Sequence, residues 1–134
     1  MKPEELKYAK THEWVHVDSA EDGNGSMATV GISAFAVEAL TDLVFLELPE
    51  IGKQVAAGDS LGEVESVKAV SDIYSPVTGE VVQVNEELPE ALQWLGEDPY
   101  GRGWIAKIRL GDASALENLM DHTAYSKLCA DEES

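Results

Sequence analysis

The chain has a single cysteine, which excludes an internal disulfide framework and a multi-cysteine zinc site. No apolar run approaches the ~20 residues of a membrane-spanning helix. The opening residues, Met-Lys-Pro-Glu-Glu, have neither the apolar segment of a secretory signal nor the arginine-rich, acid-poor character of a transit peptide. The expectation is a protein of a reducing compartment, or a mature form whose targeting segment has been removed. Positive charge is scarce: nine Lys and Arg stand against 26 Asp and Glu, a formal net charge of -17, and between Lys10 and Arg102 only Lys53 and Lys68 are cationic. Binding nucleic acid or an anionic membrane needs a basic patch to displace counterions, so both are excluded as partners. The negative field instead favours solubility and proteins with basic docking faces. The sequence also lacks a Gly-x-Ser-x-Gly elbow, a Walker A loop and a Gly-x-Gly-x-x-Gly turn. Carboxylates are too abundant for one pair to mark an acid–base couple, and no self-sufficient active site is apparent.

What is present is enough apolar residue, 44% of 134 positions, to build one core, and the length fits one domain over residues 1–134. Residues 3–9 read as a lead-in. Residues 12–17 and 27–32 are β-rich and flank a turn cluster at 18–26, which predicts a hairpin. Ser33 is a candidate helix N-cap, followed at helical spacing by Phe35, Ala36, Ala39, Leu40 and Leu43. From 43 to 108 short strands alternate with Gly and Pro, the pattern of a small barrel or sandwich, with a long turn at 96–103. Ser114 and Glu117 form a capping box that predicts a helix with Leu116, Leu119 and Met120 on its apolar face. Asp121 or Thr123 caps a further turn or two, running to Leu128, and residues 131–134 are expected to fray.

Two stretches echo one another: residues 58–64 (GDSLGEV) and 75–81 (SPVTGEV). Two similar β halves would project the segment between them, which includes Lys68, at one end of a sheet. An exposed lysine is usually a solvated charge. This one lies among small and β-branched neighbours at a hairpin tip, the accessibility that a lysine modified by another enzyme needs. His12 and His16 flank Trp14, and on a strand all three would share a face. They lack an acidic or cysteine partner at ligand spacing, so they read as ordinary histidines. Cys129 reads as a small hydrophobe.

The residues that carry a wider resemblance are His12-Glu13-Trp14-Val15, Val30-Gly31-Ile32, the VFLELPE run at 44–50, and 62–84 with Glu65-Ser66-Val67-Lys68-Ala69 at its centre. Asp98-Pro99-Tyr100-Gly101, Gly103-Trp104 and Ala124-Tyr125 extend it. Over nearly its whole length the chain resembles the glycine cleavage H-protein family. The resemblance implies a mainly β fold, a lipoyl/biotinyl-type hybrid barrel-sandwich with short helices that include a C-terminal one. It also implies lipoate in amide linkage to Lys68. Biotin carriers usually place Met on both sides of the lysine, whereas Val67 and Ala69 stand here; lipoyl domains of 2-oxoacid dehydrogenases usually read Asp-Lys-Ala. The chain departs from the family pattern in its long 18–26 loop and at 88–96, where Leu92, Trp94 and Gly96 stand.

The function so implied is that of a non-catalytic shuttle. A pyridoxal-phosphate glycine decarboxylase would load an aminomethyl group on the lipoyl arm, and a tetrahydrofolate-dependent aminomethyltransferase would unload it. Dihydrolipoamide dehydrogenase would reoxidise the arm, and a lipoate-attaching enzyme would have installed it, reading Glu65, Ser66 and Ala69. A cleft should shelter the loaded arm from water, with Glu13 or Asp72 facing its ammonium, Thr11 nearby and Phe35 as a wall. The expected compartment is a bacterial cytoplasm, or a mitochondrial matrix if a targeting segment has been removed. The competing readings are a lipoyl relay or redox carrier of another pathway, and an interaction module whose Lys68 is never modified.

Overall fold

The computed structural model describes residues 6–19, 26–40, 42–112 and 119–133. The alternating stretches on either side of the 18–26 cluster pair as antiparallel strands β2 (Glu13–Ser19) and β3 (Ser26–Ile32). Asp18, Ser19 and Ser26, expected in the turn, belong to the ladder, with Asp18 opposite Met27 and Ser19 opposite Ser26. A short strand β1 (Lys7–Tyr8) inside the expected lead-in adds to the edge of β2. Ser33 caps α1 (Ala34–Leu40), its Oγ accepting the Ala36 N–H at 3.3 Å. Leu43, expected to continue the helical face, instead opens β4 (Leu43–Glu47) opposite Ser66, because sheet pairing overrides the spacing.

Strands β5 (Gln54–Val55), β6 (Ser60–Ser66), β7 (Val70–Tyr74), β8 (Thr78–Val84) and β9 (Trp104–Asp112) complete the described sheets. One sheet runs β1-β2-β3-β9-β8-β5 and the other β4-β6-β7. Every pairing is antiparallel. The main core contains Val30 and Ile32 of β3, Leu46, Leu61, Val64 and Ile73 of the small sheet, and Val81, Ile105 and Ile108. Each full burial of such a side chain contributes about 1.5–3 kcal/mol. The divergent 88–96 segment folds as a 3-10 turn (Leu88–Glu90) and α2 (Gln93–Glu97), and Leu88 and Leu95 are fully buried against this core. The turn expected at 96–103 therefore begins only after Glu97, and Asp98 organises it by accepting the Gly101 and Gly103 N–H groups on its carbonyl.

At the other end, Leu6, Tyr8, Trp14 and Tyr125 form a second buried cluster. Residues 113–118, including Leu116 and the expected capping box, lie outside the described residues. Leu119 and Met120 are not helical: Met120 makes a β-bridge with Tyr8, so its backbone is committed to β1. Helix α3 (His122–Glu133) starts at Asp121, whose Oδ1 accepts the Ala124 N–H at 2.9 Å. It carries on through residues 131–133 of the expected tail.

The echoed glycines explain themselves in three dimensions. Gly62 of β6 and Gly79 of β8 each sit beside a register irregularity. A Cβ at Gly62 would lie 2.1 Å from the Glu47 carbonyl oxygen, and one at Gly79 2.0 Å from that of Arg109. Backbone cannot retreat as a flexible side chain can. Gly62→Ala and Gly79→Ala should therefore each lower stability by about 2–3 kcal/mol. Gly96, in α2 with open space around its Cα, should instead gain about 0.5–1 kcal/mol on replacement by Ala. Urea denaturation midpoints at constant slope check both signs.

Candidate functional site

The β6–β7 hairpin brings Lys68 to its tip. Glu65 pairs with Val70, and the turn between them closes through the Ser66 N–H to the Ala69 carbonyl at 2.8 Å. Ser66 is buried, and its hydroxyl both accepts the Ala69 N–H and donates to the Ala69 carbonyl, each at 3.1 Å. The Val67 N–H donates to the Asp42 carbonyl at 3.0 Å, which braces the tip against the start of β4. Lys68 and Ala69 are exposed and Glu65 half-buried. Val44, Phe45, Val67 and Val70 are exposed around this end of the sheet, an apolar surface in a strongly acidic protein.

The same hairpin walls a cleft of about 590 Å³. Residues 70–74 of β7 form one side, with Phe35, Ala36, Ala39 and Leu40 of α1 opposite. Ile32 and Val64 contribute from the core, and Thr11, His12 and Glu13 close one end. Thr11, Glu13, Phe35 and Asp72, four residues spread over 62 positions of sequence (11 to 72), thus meet in one space.

Glu13 is the unusual member, a carboxyl 3% exposed. Its Oε1 accepts from the Thr11 hydroxyl and its Oε2 from the Tyr74 N–H at 3.3 Å. Burial disfavours the carboxylate more than these hydrogen bonds favour it, and the pKa is pushed up to about 7. Asp72 differs: it is exposed, within 3.4 Å of the Tyr74 hydroxyl. The cleft thus holds one exposed acidic side chain and one buried carboxyl whose pKa is pushed up to about 7.

His12 departs from the expected strand. It precedes β2 with φ 75°, a left-handed conformation in which histidine is several-fold enriched among non-glycine residues. It therefore does not share a strand face with Trp14 and His16. Its ring lies 5.0 Å from that of Phe35, and its Nδ1 is 2.7 Å from the Tyr125 hydroxyl. Trp14 is fully buried, with its indole N–H donated to the Pro99 carbonyl at 2.9 Å. Among the described residues, three or more His, Cys, Asp or Glu side chains are nowhere gathered for a metal. No helix there is long and apolar enough to cross a membrane. Cleft residues not anticipated from sequence include His12, Val70 and Tyr74, whose advance signal was proximity in sequence to Glu13 and Asp72.

The fit of a lysine-linked arm follows from these features. An exposed Lys68 amine is free of steric cover, and the strand leading away from it lines an apolar-walled cleft with a carboxyl at its end.

Comparison with known proteins bears on the family of the chain. The family model for the glycine cleavage H-protein matches residues 6–132. The glycine cleavage system H protein of Rhodopirellula baltica is 54% identical over 129 residues, 96% of either chain. H protein 2 of Arabidopsis thaliana, described as mitochondrial, is 50% identical over 96% of this chain and 79% of its own length. The crystal structure of the H protein from Mycobacterium marinum superposes with a TM-score of 0.81 at 39% identity, covering 94% of this chain and 97% of that one. With its hybrid barrel-sandwich, its exposed hairpin lysine and a match over nearly its full length, the chain belongs to the glycine cleavage H-protein family, the lipoyl carriers of the glycine cleavage system.

Proposed function

We propose that Lys68 bears lipoate in amide linkage and that the cleft between α1 and β7 shelters the loaded arm. One observation carries this reading: the hairpin that exposes Lys68 also forms the wall of a cleft ending in buried Glu13. Lipoate held on Lys68 would supply reversible thiol–disulfide chemistry suited to carrying an aminomethyl group derived from glycine. The chain's own residues hold, orient and protect. Ser66 locks the turn so that Lys68 is presented on a rigid tip. Phe35, Ala36 and Leu40 exclude water on one side, and Ile73 and Val70 on the other. Glu13 and Asp72 face the ammonium end of the cargo, with Thr11 fixing the Glu13 carboxyl.

The partners are a pyridoxal-phosphate glycine decarboxylase, a tetrahydrofolate-dependent aminomethyltransferase, dihydrolipoamide dehydrogenase and a lipoate-attaching enzyme that reads Glu65, Ser66 and Ala69. The apolar surface around the tip and the net charge of -17 suit partner faces with an apolar centre and a basic rim. Tethering raises the arm's effective concentration once a partner has docked. In this reading the whole chain, residues 1–134, works as one non-catalytic carrier domain, and the bacterial relatives support a bacterial cytoplasm.

Two outcomes are expected. Co-expressed with a lipoate ligase and lipoate, the chain should gain one lipoyl group, located at Lys68 by intact mass and peptide mapping, and Lys68→Arg should gain none. A wild-type chain that stays unmodified, while a control carrier is modified, contradicts the assignment. The second concerns pH. Below about pH 7 Glu13 is largely neutral and resembles Gln, whereas above it the carboxylate faces the cargo's ammonium. Glu13→Gln should therefore lose the aminomethyl group about tenfold faster than wild type at pH 8, the equivalent of one charge-assisted hydrogen bond, and at nearly the wild-type rate at pH 5.5. Folding linkage has its own sign. A carboxyl whose pKa is raised on folding stabilises most below its unfolded value of 4.5, and that contribution fades as pH rises to about 7. The Glu13→Gln protein should lack this decline in urea titrations between pH 4.5 and 7.

A further inference from the structure

The C-terminal helix touches His12, which lines the cleft, through the ring and the hydroxyl of Tyr125. Tyr125 of α3 is buried, with its ring stacked on that of Tyr8 at 4.2 Å and 3°. Its hydroxyl extends past this stack to His12 Nδ1 at 2.7 Å and to Ser33 Oγ at 2.5 Å. These two partners govern the two walls that meet at the closed end of the cleft. Ser33 is the N-cap of α1, and its N–H donates to the His12 carbonyl at 2.9 Å. The His12 ring lies against Phe35 of α1, and the His12 backbone holds a left-handed conformation directly before Glu13. Such a conformation persists where the surroundings over-determine it.

We propose that the Tyr125 hydroxyl is a positioning group for the cleft. By holding His12 and Ser33 at once it fixes the strand that carries Glu13 against the helix that carries Phe35, and the docking of α3 thereby sets how firmly the loaded arm is kept. The inference rests on the cleft being the arm's shelter. Ring and hydroxyl have separable duties: the ring packs on Tyr8 and stands edge-on to the His12 ring at 5.6 Å, and the hydroxyl adds the hydrogen bonds to His12 and Ser33. Tyr125→Phe keeps the first and removes the second.

The test uses the full-length lipoylated chain, loaded with the aminomethyl group by glycine and the decarboxylase. Loss of that group consumes one water, breaks the carbon–sulfur bond and releases formaldehyde and ammonium, leaving the thiol. Formaldehyde release gives the rate. Tyr125→Phe should raise it about fivefold, as expected for loss of one neutral hydrogen bond, with wild-type lipoylation of Lys68 by intact mass. In the unloaded chain the same substitution should shift the His12 ring nitrogen resonances. His12→Asn tolerates the left-handed backbone and should match the rise, and the double variant should add nothing further. Val81→Ala, a truncation in the main core, should lower Tm without changing the release rate. Wild-type release as fast as that from aminomethylated free dihydrolipoamide would remove the cleft reading itself. Wild-type protection retained in full by Tyr125→Phe would overturn the role of the hydroxyl alone. Additive effects in the double variant, or equal acceleration by Val81→Ala, would do the same.

Discussion

Strand register in the β6–β7 hairpin is the constraint on which the rest depends. Glu65 opposite Val70 and Val64 opposite Ser71 put Val64 and Ile73 into the core, Lys68 at the tip and 70–74 along the cleft. A slip of one residue would turn every side chain of a strand to the other face, removing the core contacts and the cleft wall together. Three features hold the register: the Ser66 hydroxyl closing the turn, the Val67 N–H on the Asp42 carbonyl, and Gly62 accepting the close approach of the Glu47 carbonyl. Presentation of the lysine and formation of the cleft are therefore one structural event.

The second theme is where charge is kept in water and where it is not. Among the described residues every acidic side chain but one is exposed or half-buried, which costs little. Glu13 is the exception. Its burial raises its pKa to about 7, so near neutrality it exchanges its proton readily and answers to whatever cation enters the cleft. Asp72, on the same cleft, is exposed to water instead. In the proposed function, the pair would attract a cation to the cleft and then hold it where water is scarce.

Local chemistry in the sequence made several features legible. The hairpin at 13–32, the Ser33 cap, the Asp121 cap and the exposed position of Lys68 all follow from short-range patterns that the fold respects. The echo at 58–64 and 75–81 pointed to two glycines whose reason, a neighbouring carbonyl oxygen, only pairing reveals. What was not legible depends on long-range contacts. Two-residue β1 has no periodicity to detect, and Leu43 fits a helical face as well as it fits a strand. Gly31 is small because the Trp14 ring lies across it, 2.5 Å from where a Cβ would be, a contact set by register. His12 alternates with Trp14 and His16 in sequence, yet the turn through the Ala9 carbonyl twists it out of the strand. The Tyr125 hydroxyl crosses 113 positions of sequence to reach it.

The most direct measurement is amide chemical-shift mapping of the lipoylated chain before and after loading with the aminomethyl group. Shelter in the cleft predicts the largest changes at Ala36, Ile73 and Tyr74, far along the hairpin from the attachment point, with Tyr74 reporting through its hydrogen bond to Glu13. Changes confined to residues 66–70 would mean that the loaded arm stays in solvent at the tip, and would contradict the account.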